Sequence, residues 1–260
     1  MGIKPVLKKE FLDALRNYRF LILAAGVLFF AMFDPIMSKL VLPELLKSQF
    51  PNMPMEVMNE MLMTTQAANI RSYMGNVYQI STLIITFTLS GLLAAEISEK
   101  TLVLPVSTGK RYDEILVGKI VIYGTFLLLV TTICALINYA YAGVLFGFSL
   151  PSAAPALRAG LLQGVHMVFV LALLIFLGAL VRKPIAAGLL TLLTVFITRA
   201  VGSMLHLHRY LPSGLLVEAE MLAAAPSPML WGSLSATLAL IVVLLCLSMI
   251  RLSNLELTRG

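Results

Sequence analysis

Four polar side chains sit where the sequence is otherwise apolar: Asp34, Asn138, Gln163 and His166. An ionisable or amide group at membrane depth is costly to bury, which makes each a candidate for a substrate path. Each also has a structural reading. Asp34 is followed by the kink-forming Pro35, and Lys39 stands close enough to pair with it if the helix resumes. Asn138, Gln163 and His166 could join helices by hydrogen bonds, and for these three that is the favoured reading. Two further clusters could hold soft metals. Met53, Met55, Met58, Met61 and Met63 crowd one segment, and thioethers suit Cu(I). Flexible apolar packing explains them better, so no metal and no cofactor is expected. His206 and His208 beside Arg209 lack a third ligand at suggestive spacing and read as a polar cap at the membrane interface. Cys134 and Cys246 lie in apolar runs, as buried thiols do.

The elements that must position these residues follow from hydropathy. Hydrophobic residues make up 59% of the 260 positions and charged residues 12%, with a mean hydropathy of +0.93. That is about half the charge of a soluble globular chain. Crossing a hydrocarbon core of about 30 Å takes about 20 helical residues. Six stretches qualify, at about 20–42, 77–95, 115–145, 157–181, 185–204 and 229–250. The expected fold is all-α: one polytopic transmembrane domain over 1–260, too short to add a sizeable soluble domain. Ahead of the first span, Leu7, Phe11, Leu15 and Tyr18 recur at helical spacing among charged residues. That predicts an amphipathic helix over 4–19 lying on the membrane surface.

Charge sets the orientation. With the N-terminus inside, thirteen of the nineteen Lys and Arg fall on the inner side or its helix ends, while acidic residues divide seven to six. The positive-inside rule therefore predicts a multi-pass protein of the cell (cytoplasmic) membrane with N- and C-termini cytoplasmic. The net charge of +6 is then a topology signal, and no nucleic acid is expected as a partner.

Between the second and third spans lies an acidic-then-basic loop. Glu96 and Glu99 end one helix, Leu102-Val103-Leu104 forms a short apolar knob before Pro105, and Lys110-Arg111-Tyr112-Asp113-Glu114 leads into the next helix. An apolar knob ringed by charge suits a soluble partner, and a plain solvated connector suits the composition equally.

At this loop the chain resembles the ABC type-2 exporter permeases, the membrane subunits of ATP-binding-cassette transporters. Their loop after the second span reads E-x-E-x-G-T-L, then a short apolar helix, then S/T-x-x-x-R-x-E-I-L-x-G-K. Here the counterparts are Glu96-Ile97-Ser98-Glu99-Lys100-Thr101-Leu102 and Arg111-Tyr112-Asp113-Glu114-Ile115-Leu116-Val117-Gly118-Lys119. Lys8-Lys9-Glu10, the run from Phe29 to Pro35 with Pro43-Glu44-Leu45-Leu46, and Tyr210-Leu211-Pro212 are also similar to members of the family. The sequence departs from the pattern in three places. Lys100 stands where the family usually has Gly, the glutamates are three apart instead of two, and Pro105 interrupts the apolar helix.

The resemblance implies that this loop is a cytoplasmic coupling segment. Glu96, Glu99, Thr101, Leu102, Val103, Leu104, Lys110 and Arg111 would engage the ATPase, with the three apolar residues as anchors. It implies a permease that exports a substrate by alternating access, with two ABC ATPase subunits, a second permease copy or homologue, and membrane lipids as partners. The chain has no G-x-x-x-x-G-K-[ST] phosphate loop, so ATP hydrolysis belongs to a separate chain and this subunit is expected not to be an enzyme. Two rival readings stand beside it. A membrane-embedded protease would need G-x-S-G or a Glu-Glu pair, and neither is present. A non-transporting membrane anchor or assembly protein has no motif to test. The substrate is open among lipids, peptides, antibiotics and ions.

Overall fold

The computed structural model describes residues 4–51, 65–102, 111–223 and 225–254. They fold as an all-α bundle in which six helices are long and apolar enough to cross a membrane, so the chain is a multi-pass membrane protein. The first helix, α1 (Lys4–Arg16), ends at Tyr18 in a left-handed turn. The first span is continuous from Arg19 to Gln49 and has three parts. These are α2 (Arg19–Ile36), a π-helical turn (Met37–Val41) and α3 (Leu42–Gln49). The second span joins α4 (Gln66–Leu89) to α5 (Gly91–Ser98). The third is α6 (Tyr112–Phe146), the fourth α7 (Ala154–Val181) and the fifth α8 (Pro184–Met204). A 3₁₀ turn (His208–Tyr210) and the short helix α9 (Ser213–Met221) precede the last span, α10 (Pro228–Ser253).

α7 is the axis of the bundle: 67% of its apolar window is buried, against 22–50% for the other spans. Two of its glycines let α6 come unusually close. A Cβ at Gly160 would stand 2.8 Å from Thr132 Cα, and one at Gly164 would stand 2.9 Å from Leu128 Cα. With no hydrophobic drive between helices in lipid, such small residues four apart allow backbone-to-backbone packing. Arg182, left-handed at φ 60°, and Pro184 then separate α7 from α8.

Three boundaries differ from the sequence expectation, each for a physical reason. The first helix does not stop near Leu42, because α2 accommodates Pro35 and the helix continues through the π-turn to Gln49. The second span begins at Gln66, well ahead of Val77. Its first turns carry Gln66, Asn69 and Tyr73, all buried against protein, so hydropathy does not register them. Gln66 is bonded at both ends: Nε2 donates to the Tyr139 carbonyl (2.9 Å), and Oε1 accepts from Ser149 N and Leu150 N (2.9 and 3.1 Å). The stretch between the fifth and last spans, to which the span pattern assigns no helix, contains α9, whose Leu215, Leu216 and Ala219 are buried.

The ends of the spans gather at two faces. At one, α1 packs on α6, Gly178 of α7 nears Ala94 of α5, and Arg111, Tyr112 and Asp113 share a 530 Å³ cleft with Met249, Ile250 and Ser253. At the other, Lys39 donates to the Leu145 carbonyl and Arg158 to the Ala223 carbonyl.

Candidate functional site

Charged residues far apart in the chain meet at the first of these faces. Lys119, on the second turn of α6, is 1% exposed. Its ammonium donates to Glu10 Oε2 of α1 and to Glu96 Oε1 of α5, both at 2.9 Å. Glu10 is as buried as Lys119, whereas the Glu96 side chain is 22% exposed. Lys9 adds a half-exposed positive charge 3.3 Å from Glu10 and 3.6 Å from Glu96. Arg19 pairs with Asp13 at 2.7 Å and donates to the Tyr123 hydroxyl at 3.1 Å, extending the network around the root of α2.

Local sequence makes this burial achievable. Gly118 lies against α1, and a Cβ there would come within 2.7 Å of Val6 Cγ1. Val6, Glu10 and Ala14 recur every four residues and form the buried stripe of α1. The apolar residues singled out from the sequence lie on another face: Phe11, Leu15 and Tyr18 are 46–67% exposed. The helix thus carries one protein-facing stripe and one free apolar stripe.

The loop that follows Glu96 is shaped by an αL cap. Glu99 N and Lys100 N donate to the carbonyls of Ala95 (2.8 Å) and Ile97 (3.2 Å), and Leu102 N to that of Glu96 (3.4 Å). Lys100 has φ 58°, the left-handed conformation that glycine adopts without strain. Thr101 Oγ1 donates to the Glu96 carbonyl at 3.3 Å. Glu99, Lys100, Thr101 and Arg111 are exposed, and Arg111 pairs with Asp113 at 3.1 Å. Leu102 requires a correction: it is 1% exposed and belongs to the main hydrophobic core, so it is unavailable as an anchor for a soluble partner. Val103, Leu104 and Lys110 lie outside the described residues, as do all five methionines of the 53–63 cluster.

The four intramembrane polar residues do not form one path. Asp34 is 8% exposed, and Asn76 Nδ2 of α4 donates to both its carboxylate oxygens, each at 3.1 Å. The expected partner, Lys39, is turned away. Its ammonium bonds the Leu145 carbonyl and lies 5.7 Å from the Phe146 ring centre. Asn138 has a distinct task. Pro35 has no N–H, which would leave the Ala31 carbonyl one turn earlier without its helical partner. Asn138 Nδ2 donates to that carbonyl at 2.9 Å, tying α6 to α2. His166 Nδ1 lies 3.2 Å from the Pro212 carbonyl, which fixes the proton on that nitrogen. Nε2 of His166 and both amide atoms of Gln163 have no partner among the described residues.

Arg199 and Glu220 were not singled out from the sequence. They form a 2.7 Å ion pair on which Tyr78 is stacked, its ring centre 4.3 Å from the guanidinium carbon. No spacing signal links residues on three elements. Nearby, His208 Nδ1 lies 3.2 Å from Ser213 Oγ, and burial, followed by the charge of Arg199, lowers the pKa of its imidazole below the ordinary range. Among the described residues no three His, Cys, Asp or Glu side chains group as metal ligands would. Comparison with protein families and with curated proteins finds no match to this chain.

Proposed function

We propose that this chain is the membrane subunit of an ABC exporter, moving its substrate by alternating access driven by a separate ATPase. The observation that carries the reading is the ion cluster of Glu10, Glu96 and Lys119. These residues come from three of the stretches in which the sequence resembles the exporter permeases: the Lys-Lys-Glu opening, the glutamates after the second span, and the Gly-Lys that closes the loop motif. Their convergence gives that scattered resemblance a common physical purpose. The left-handed Lys100, at the position where the family has glycine, supports the reading independently. In this reading the cluster face is cytoplasmic, as the basic excess predicts. The exposed Phe11 and Leu15 of α1, with Tyr18 just beyond its end, lie in the membrane interface.

Because Leu102 is internal, coupling would pass through the exposed charged lip and through Val103 and Leu104. An ATPase closing against the lip would push on Glu96, and Lys119 would carry that push into α1 and α6 together. The test is co-purification of an ATPase with the tagged chain, repeated for Glu99→Arg combined with Arg111→Glu. Both positions are exposed, so the variant should melt as the wild type does while losing ATPase retention and transport. If no ATPase accompanies the wild-type chain, the anchor or assembly reading replaces this one.

A further inference from the structure

Beside the π-turn lies a cleft of about 280 Å³, formed where α2 and the turn face α4. Its polar lining is Asp34, Asn76, Ser38 and Ser72, and its apolar lining includes Phe30 and Phe33. We propose that this cleft binds the ammonium head of an amphiphilic amine, with Asp34 as counter-ion and the two phenylalanines flanking the charge. As a substrate site it rests on the export reading above; the binding itself does not.

Three observations lead there. A carboxylate has about four lone-pair positions, and Asp34 receives hydrogen bonds from a single amide nitrogen. No basic side chain lies within ion-pair distance of it among the described residues, so the charge is only part-satisfied. Second, a carboxylate beside aromatic rings in a mostly apolar wall is the recognition chemistry of an organic cation. A small metal ion would want several oxygen ligands around it, and here one carboxylate faces an amide donor. Third, the cleft has an exposed apolar side. Of its lining, Phe33 and Leu42 are 36% and 39% exposed, so an alkyl tail can extend from the cleft over apolar surface while the head turns inward. The π-turn borders the same cleft through Met37 and Ser38, and such insertions often mark functional sites.

The test uses the full chain in lipid nanodiscs, without any ATPase, and tritiated dodecylamine read by scintillation proximity, with empty nanodiscs as background. Saturable binding is expected, displaced by unlabelled dodecylamine and not by dodecanol. Asp34→Asn should weaken it roughly 10- to 100-fold, as loss of a charge-assisted contact does. Asp34→Glu should keep it within a few-fold, and Phe33→Leu should weaken it several-fold through the lost cation–π contact. Absence of saturable binding to the wild-type chain, equal competition by dodecanol, or wild-type affinity in Asp34→Asn would each overturn the proposal. If Asp34→Asn does not fold, Asp34→Glu and Phe33→Leu decide. ATPase co-purification is scored separately, so a failed binding site and a failed export reading give different results.

Discussion

Replacing Lys119 by Met tests the ion cluster most directly. Met matches the length of the Lys stem and removes only the charge, so the close approach of Gly118 to Val6 beside it is kept. What remains is two carboxylates without the ammonium that bridged them. Glu10, at 1% exposure, has no route to solvent, while Glu96 at 22% is partly screened and Lys9 at 51% compensates weakly. Removing one partner of a buried ion pair typically costs about 3–5 kcal/mol, because the charge left behind stays desolvated. Glu96→Gln, which leaves the Lys119–Glu10 pair intact, should cost about 1–2 kcal/mol. Glu10→Leu combined with Lys119→Met removes both fully buried charges and should cost less than the two single changes summed, with a coupling of at least about 1 kcal/mol. Denaturant titration of the detergent-solubilised chain gives the energies. Hydrogen exchange over 4–16 reports whether α1 undocks, as the loss of its Glu10 tether requires. The reasoning fails if Lys119→Met leaves both midpoint and exchange unchanged, since a 1%-exposed ammonium with two 2.9 Å partners cannot be energetically silent.

Three further outcomes are expected. Lys100→Gly should be neutral or stabilising by up to about 1 kcal/mol in thermal melts, because the left-handed strain and the chain entropy of glycine are of similar size; Lys100→Val should lower stability by more than 1 kcal/mol, to order of magnitude. Asn138→Ala should cost about 1–3 kcal/mol by orphaning the Ala31 carbonyl, and Pro35→Ala in that background should recover part of it by supplying the missing N–H, read by the same titration. In a background lacking Cys134 and Cys246, a cysteine at Tyr210 should react with an impermeant thiol reagent in intact cells, and one at Arg111 only in inverted vesicles; both sites are exposed, so the reverse pattern would invert the topology.

Hydropathy located all six spans, because their lipid-facing sides are continuous apolar surface. It misjudged ends wherever polar residues face protein, as Gln66, Asn69 and Tyr73 do at the start of α4. Asp34 and Asn138 were recognisable as costly intramembrane groups, but their partners were not. The nearest cation in sequence, Lys39, lies within the π-turn, whose wider winding changes the side chain's direction by an increment no periodicity reveals. Glu10 and Lys119 were visible as motif letters, yet a pairing across 109 positions has no local signature. Leu102 illustrates the opposite error: a leucine flanked by charges in a loop looks exposed, and the αL turn at Lys100 folds it back into the core.

The region from Ala31 to Val41 breaks several helix rules in succession, and the breaks are compensated from other helices. Pro35 forfeits a hydrogen bond, which Asn138 of α6 supplies. The π-turn widens the ladder, and Asn69 Nδ2 donates to Ser38 Oγ at 3.2 Å across to α4. The charge of Asp34 is held by Asn76 of the same helix. If an unbroken span were all that the fold needed, an alanine at each of these positions would give it with no polar group to satisfy. Natural chains keep such compensated irregularities mainly at functional sites. The compensation here stops short at Asp34, whose carboxylate is bonded by an amide and, among the described residues, by no cation. That shortfall is what a bound ammonium would fill, and it sits on the helix whose opposite end Arg19 ties to Asp13 and Tyr123.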